Sequence, residues 1–185
     1  MEAAFRLYFM TGPVHEDWTA WSRLFTDDAL YHDHFWGTFR GPSEIERFLE
    51  GTMSAASHVY SPLRWYSVGD ERVVYEVLNR ADHPIEGRAP IEFPSLQVVT
   101  YAGEGKWRAE DDWRVLWEMA RMRDRWLEAV RESGPPDGGA LSRRDWGQWV
   151  AWARPEPGHV AKPSWLNKEV PPVARLGDID FGVRN

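Results

Sequence analysis

The chain has 185 residues, no cysteine and a formal net charge of −7. This length suits one domain whose core is large enough to fold without covalent cross-links. Without cysteine the chain forms no disulfide and uses no thiolate chemistry, and its acidic balance argues against a nucleic-acid partner. The twelve tryptophans fit either ordinary packing or an aromatic-walled cavity for an apolar ligand.

No segment has the pattern of a membrane anchor or of a secretion signal. Apolar runs fall short of the roughly 18 residues that a membrane-spanning helix needs. The start of the chain carries Glu2 and lacks the basic residues and the long apolar stretch of a signal peptide. We therefore expect a cytoplasmic protein with no membrane partner.

The first part of the chain alternates short helices with one strand. Apolar residues at helical spacing predict helices over 2–10, from Glu16 to Asp27, and over 44–53, the last after an N-cap at Ser43. A short strand over 29–35 precedes the third helix, and glycines in the connection mark a turn.

Strands dominate the middle of the chain, where β-branched and aromatic residues are frequent. The pattern predicts strands over 58–67, 72–82, 93–102 and 106–115, followed by a helix over 117–130. The sequence therefore predicts an α+β domain over residues 1–133, in which a curved antiparallel sheet carries helices on one face.

Residues 134–185 read as a separate C-terminal extension. Its start is rich in glycine and proline, which is typical of a linker. Further on, Trp146, Trp149 and Trp152 recur at a spacing of three, which favours packing against the domain or a partner subunit. A lid over a pocket is the alternative.

Four ionisable side chains fall together in the first predicted strand, at 31–34. If that strand is regular, Tyr31, Asp33 and Phe35 share one face. A carboxylate among aromatic side chains on an inward face is costly for a residue with a purely structural role. Asp33 is therefore the first candidate for chemistry.

Three stretches carry a resemblance to a known family: LFTDDALYHD, GPSEIERFL and GKWRAEDDW. Together they resemble the SnoaL-like branch of the nuclear-transport-factor-2-like superfamily, over roughly Ala3 to Trp113. The resemblance implies a cone of helices and bent sheet (a cystatin-like α+β barrel) around a deep pocket, commonly as a homodimer. Members include ketosteroid isomerases, polyketide cyclases, dehydratases, epoxide hydrolases and non-catalytic binders, so the fold alone does not choose the reaction.

The resemblance to ketosteroid isomerases implies roles for three residues. Asp33 would be the proton-shuttling base, and Tyr8 on the first helix would contribute to an oxyanion hole. Gln97 stands where those isomerases have a protonated aspartate, and an amide is a weaker donor to a developing enolate. Trp21, His34 and Phe35 are expected to line the same pocket with Tyr8 and Gln97.

The resemblance to limonene-type epoxide hydrolases implies a different set. Arg80 and Asp82 match the family's Arg-x-Asp, Asp112 matches its base, and Tyr31 matches a water-positioning tyrosine, while Asp33 stands where the family has asparagine. Asp112 would deprotonate a water, Asp82 would protonate the epoxide oxygen, and Arg80 would lie between the two carboxylates.

The register of the last predicted strand leaves two aspartates open. Strict alternation puts Asp111 on the face of Trp107 and Trp113, which favours Asp111 as the inward residue. The family register favours Asp112. We adopt Asp112, because a dimer partner would cover the other face.

The histidines do not predict a metal site. His32 and His34 share a face opposite Asp33, and no third ligand follows at a recognisable spacing. We expect no metal and no cofactor, and a pocket histidine, His34 or His83, is better explained as a proton carrier.

The sequence thus predicts a cofactor-free acid–base enzyme for a hydrophobic small molecule such as a terpenoid, steroid or polyketide. Addition or removal of water is the preferred reaction, with double-bond isomerisation or cyclisation next. The alternative of another class is a non-catalytic binding or assembly subunit, as in the small subunits of ring dioxygenases.

Overall fold

A computed structural model describes residues 1–134 and 144–170. Its α-helices are α1 (Glu2–Phe9), α2 (Trp18–Ser22), α3 (Gly41–Ala55) and α4 (Leu116–Ser133). Its strands are β1 (Phe25–Asp33), β2 (Gly37–Arg40), β3 (Val59–Tyr60), β4 (Leu63–Val68), β5 (Arg72–Ala81), β6 (Ile91–Gly103) and β7 (Lys106–Arg114). No helix within the described ranges is long and apolar enough to cross a membrane.

One strongly curled sheet contains all seven strands, in the order β2-β1-β7-β6-β5-β3, with β4 also paired to β5. Helices pack on its concave side, so the predicted α+β cone fold is confirmed. The pairing is antiparallel except between β1 and β7, which run parallel. This parallel pair, which the sequence did not indicate, sets the N-terminal strand beside the last one.

Aromatic side chains fill the concave side of the sheet. Helix α1 buries Phe5, Tyr8 and Phe9, and these rings contact Trp21 of α2 and Tyr75 of β5. Burying one such side chain contributes roughly 1.5–3 kcal/mol. The helices therefore stay on the sheet mainly because their aromatic faces leave water.

Some elements differ from the sequence prediction at their ends. The first helix continues as a π-helical segment over Met10–Val14, which contains Pro13. Strand β1 begins at Phe25, so α2 is shorter than predicted. Helix α3 begins at Gly41 rather than after Ser43, and the Glu44 carboxylate accepts a hydrogen bond from the Arg40 N–H, which caps the first turn.

A bulge in β7 decides which of its residues face inward. Thr100 pairs with Ala109, but the next residue of β6, Tyr101, pairs with Trp107. Arg108 is therefore an extra residue, and the alternation reverses across it. As a result both Trp107 and Asp112 are buried on the concave face, and Asp111 is half-exposed on the other one.

The described part of the extension, residues 144–170, packs against its own chain. Trp152 contacts Phe5 and Phe9 of α1, and Trp146 contacts Tyr60 of β3. Ion pairs tie the segment down near each end: Arg144 to Glu16, and Lys168 to Glu46 and Glu50. The domain boundary at residue 133 stays a prediction.

Gly12 gives a test of this packing. A Cβ at this position would lie 2.4 Å from Cδ1 and 2.6 Å from Nε1 of Trp21, whose ring is fixed between Tyr8 and Phe25. We expect Gly12→Ala to lower the free energy of unfolding by about 1–3 kcal/mol, because the overpacked ring has no room to move. Urea denaturation measures the change.

Gly69→Ala is the matched control, since its Cβ would meet its nearest neighbour, the Arg72 carbonyl oxygen, at an ordinary 3.5 Å. It should change the free energy of unfolding by less than about 1 kcal/mol. Equal stability of the two variants would show that Trp21 is not wedged against Gly12.

Candidate active site

Two aspartates meet on the concave face of the sheet. Asp33, the last residue of β1, pairs in register with Asp112 of β7, and Asp112 pairs with Gln97 of β6. Paired residues point to the same face, so the three side chains form one row across the strands. Asp33 is 0% and Asp112 is 5% exposed, so both carboxyl groups lie where an unpaired charge is costly.

Arg114 compensates both carboxyl groups at once. Its Nη2 atom donates to Asp33 Oδ2 at 2.6 Å and also to Asp112 Oδ2. Arg114 was not predicted as a site residue, although Asp112 and Arg114 are two apart on one strand and therefore share a face. Tyr31, on the same face, donates its hydroxyl to Asp112 Oδ2 at 3.3 Å.

The backbone that follows β1 also holds Asp33. The N–H groups of Phe35 and Trp36 donate to Asp33 Oδ1 at 2.8 and 2.9 Å. Burial raises the pKa of Asp33 above its ordinary value; the Arg114 charge opposes this rise and the Asp112 charge adds to it. Burial thus drives Asp33 toward the protonated form.

A hydrogen-bond chain extends the row to the neighbouring strands. Gln97 Nε2 donates to Asp112 Oδ1 at 3.1 Å and to Ser95 Oγ at 2.7 Å. Asn79 of β5 donates to the same Ser95 oxygen at 2.8 Å. The predicted proximity of Tyr31, Asp33, Gln97 and Asp112 is therefore found, although their catalytic roles stay predictions.

Tyr8 has a different partner from the one expected. Its hydroxyl donates to Glu110 Oε2 at 2.6 Å, and Tyr75 donates to Glu110 Oε1 at 3.2 Å. Burial raises the pKa of Glu110 from 4.5 to about 8, partly offset by the Tyr8 hydrogen bond. Glu110 is therefore a neutral carboxyl group at pH 7, two residues before Asp112 on the same face.

Arg80 and Asp82 do not join this cluster, which corrects the expected arrangement. Arg80 pairs with Glu92 in register and donates to it at 2.5 Å, on the opposite face of the sheet. Asp82 accepts from the Tyr60 hydroxyl at 2.5 Å. The Asp33 row crosses β5 at Tyr75, five residues and about 17 Å along the strand from Arg80.

His34 also lies on the convex face, so it does not line the interior as expected. Its ring stacks on Trp113 at 4.4 Å between centroids, and its Nε2 is 3.4 Å from Asp111. Phe35 is half-buried beside Trp36, and Trp21 is buried in the aromatic core. Within residues 1–134 and 144–170, no group of three or more acidic, histidine or cysteine side chains could hold a metal ion.

The carboxyl groups are buried, and the residues beside them are partly exposed. The Arg114 side chain is 17% exposed, and Phe35 and Trp36 beside it are half-buried. A cleft of about 300 Å³ lies elsewhere, between the π-helical segment and the extension, with Val14, Arg144 and His159 among its walls.

Comparison with models of protein families identifies the family of this chain. The model of the SnoaL-like domain matches residues 8–110, more than half of the chain. The chain belongs to the SnoaL-like family. A search of curated protein sequences found no significant match to this SnoaL-like protein.

Solved structures share the fold at low identity. An LEH-like epoxide hydrolase of M. tuberculosis is 17% identical, with a TM-score of 0.54, covering 71% of this chain and 96% of its own. TerC, co-crystallised with polyporic acid, is 13% identical, with a TM-score of 0.55, covering 66% and 97%. The epoxide hydrolase/cyclase-like enzyme SalBIII, of pyran ring formation in salinomycin, is 16% identical, with a TM-score of 0.52, covering 63% and 92%.

These likenesses establish the SnoaL-like fold and leave the reaction open. Since the neighbours are covered almost completely while about a third of this chain is not, the part of the SnoaL-like protein outside the shared fold is an addition to it.

Glu110 makes the stability of this SnoaL-like protein depend on pH. Between about pH 4.5 and 8 the folded protein holds a proton on Glu110 that the unfolded chain has released, so the free energy of unfolding falls as pH rises. Glu110→Gln removes this contribution. As pH rises over this range, we expect the free energy of unfolding of the variant to increase relative to that of the wild type by about 1.4 kcal/mol per pH unit.

Urea denaturation at pH 5, 6.5 and 8 measures this difference. Glu128→Gln, at an exposed position of α4, is the control and should follow the wild type at all three values. If the free energies of unfolding of Glu110→Gln and the wild type change equally with pH, Glu110 is ionised in the folded protein.

Proposed function

We propose that this protein is a cofactor-free acid–base enzyme that adds water to, or removes it from, a hydrophobic small molecule. The observation that carries the proposal is the pair of buried carboxyl groups, Asp33 and Asp112, joined by Arg114. Two carboxyl groups that share one cation and differ in environment can divide the tasks of acid and base. The aromatic interior suits a terpenoid, steroid or polyketide skeleton.

In this proposal an epoxide is opened by attack of a water molecule. Asp112 takes a proton from a water molecule while the water oxygen forms a bond to the epoxide carbon. The carbon–oxygen bond of the ring breaks, and its oxygen takes the proton of Asp33. The proton then on Asp112 returns to Asp33, which restores the starting state; the bridging guanidinium keeps the two carboxyl groups close for that transfer.

Tyr31 and Gln97 position the water in this scheme. The Tyr31 hydroxyl already donates to Asp112 Oδ2. The Gln97 Oε1 atom is buried and has no hydrogen-bond partner among the described residues, although its amide nitrogen bonds Asp112 Oδ1. A water beside Asp112 could donate one proton to the carboxylate and the other to Gln97 Oε1, which satisfies a group otherwise costly to bury.

Substitution of Asp112 and Asp33 tests whether these two carboxyl groups transfer the protons of the proposed reaction. With a panel of epoxides, hydroxy-ketones and enones, we expect the wild type to convert at least one compound. Asp112→Asn and Asp33→Asn should each lower kcat by about 10²–10⁴-fold, because each removes one partner of the proton transfer. Steady-state kinetics with the converted compound measure the effect.

Asp111→Asn is the matched control, since it changes the neighbouring residue on the convex face and should leave kcat within about twofold. Arg80→Gln, which changes the Arg-x-Asp motif on the convex face, should likewise leave kcat per folded molecule within about twofold. An unchanged rate in Asp112→Asn, or conversion of no compound by the wild type, would reject the proposed reaction.

A non-catalytic binding or assembly subunit is the second candidate. The bonding of the cluster favours it, because both carboxyl groups are buried and already bonded to neighbouring side chains. Co-purification with a larger enzyme, together with inertness toward the whole panel, would support this candidate.

We also propose that two copies pair through the convex face of the sheet. Trp65, Leu96 and Trp113 lie on that face in neighbouring strands and are exposed. Glu76 of β5 lies in the same row between Trp65 and Leu96. Exposed large apolar side chains that share one face of a sheet favour association. The isologous pairing of two identical faces would bury it on both copies.

Light scattering after size-exclusion chromatography tests the dimer. We expect the wild type to have twice the mass of the chain and Trp113→Glu to be a monomer, because a charge on the buried face opposes association. Trp117→Glu, at an exposed position of α4, should stay dimeric. A monomeric wild type at about 50 μM, well above the Kd of a stable dimer, would contradict this proposal.

A further inference from the structure

Ser95 and Arg114 are direct neighbours across β6 and β7. Both side chains lie on the concave face, two residues along their strands from Gln97 and Asp112. Cross-strand neighbours place their Cβ atoms about 4.5–5.5 Å apart. The two side chains therefore start from neighbouring points on one face of the sheet.

Ser95 has a hydrogen to donate. Its two hydrogen bonds are both accepted, from Asn79 Nδ2 at 2.8 Å and from Gln97 Nε2 at 2.7 Å. A hydroxyl group has two lone pairs and one proton. With both lone pairs occupied, the proton points in a remaining direction and has no acceptor among residues 1–134 and 144–170.

Arg114 has a second unused donor. Its Nη2 atom serves Asp33 and Asp112, but its Nε atom is buried without a partner in the described part of the chain. A buried donor left unpaired costs about 1–3 kcal/mol, and native proteins rarely keep one without a reason. Two unpaired donors on neighbouring positions point to an acceptor that binds there.

We propose that Ser95 and Arg114 form a subsite for a hydrogen-bond-accepting oxygen of the substrate. The substrate is then an oxygenated compound whose carbonyl or ether-type oxygen receives hydrogens from Ser95 Oγ and Arg114 Nε. Its apolar skeleton lies against the buried Val77 and Phe93, which neighbour Ser95 on the same face. The inference rests on the proposed function for the location of the site, and it adds the chemical class of the ligand.

Equilibrium binding of two matched probes tests the subsite without any turnover. 2-Acetonaphthone carries a carbonyl oxygen, and 2-isopropenylnaphthalene has the same shape with a methylene group in its place. We expect the wild type to bind the ketone at least about 5-fold more tightly, as one or two hydrogen bonds to a buried neutral acceptor provide. Quenching of tryptophan fluorescence gives both dissociation constants.

Ser95→Ala should weaken ketone binding by about 3- to 10-fold and change alkene binding by less than 2-fold. Ser67→Ala, at an exposed position of β4, is the matched control and should keep the wild-type preference. Circular dichroism and the dissociation constant of the alkene show whether Ser95→Ala is folded. The preference of the wild type for the ketone tests the subsite without any variant.

Equal affinity of the wild type for the two probes, or no binding of the ketone up to its solubility limit, overturns the subsite. So does a folded Ser95→Ala variant that keeps the full preference. Selective binding of the ketone combined with inertness toward the whole substrate panel would instead leave the subsite standing and reject the proposed reaction.

Discussion

One guanidinium group shared between two buried carboxyl groups is the interaction on which the site depends. Arg114 donates to both Asp33 and Asp112, and neither aspartate has more than 5% of its surface in water. Removing one partner from such a group leaves an uncompensated charge, which typically costs 3–5 kcal/mol. Because one cation faces two carboxyl groups, the cluster is most easily buried with one of them protonated, and burial raises the pKa of Asp33 accordingly. In the proposed reaction this imbalance supplies an acid and a base.

Sheet register assembles this cluster from distant parts of the chain. The parallel pairing of β1 with β7 sets Asp33 opposite Asp112, and the antiparallel pairing of β6 with β7 sets Gln97 on the other side. A slip of one residue in either pairing would turn a whole set of side chains to the other face. The bulge at Arg108 is part of this register, because it lets Trp107 and Asp112 both face inward. The geometry of the carboxyl cluster and the packing of the core are therefore fixed by the same backbone feature.

The sequence predicted most elements and part of the site, and the errors have physical causes. Composition and periodicity located the strands and the long helices, and inward alternation identified Tyr31 and Asp33. The Asp111–Asp112 ambiguity could not be resolved by alternation, because a bulge is a tertiary feature with no reliable sequence signal. Arg80 was placed in the site by family register, although Val73, Tyr75 and Val77 form the apolar face of β5 and Arg80 has the opposite parity. Arg114 shares the face of Asp112 by the same spacing rule, so the rule itself could have found it.

Two of the arginine–aspartate pairs in the chain, Arg80 with Asp82 and Asp112 with Arg114, show that the face of the sheet decides what such a pair does. Asp112 and Arg114 point into the aromatic interior, where their charges compensate each other and a substrate could use them. Arg80 points outward, and the extension covers it: Arg80 bonds the Asp145 carbonyl oxygen at 2.7 Å, and its guanidinium lies 5.1 Å from the Trp149 ring. An arginine so engaged has its donors occupied by the chain itself, so it anchors the added segment rather than a ligand. The extension thus covers Arg80 of the outward pair, whereas the inward pair has the unpaired Arg114 Nε and Gln97 Oε1 atoms beside it.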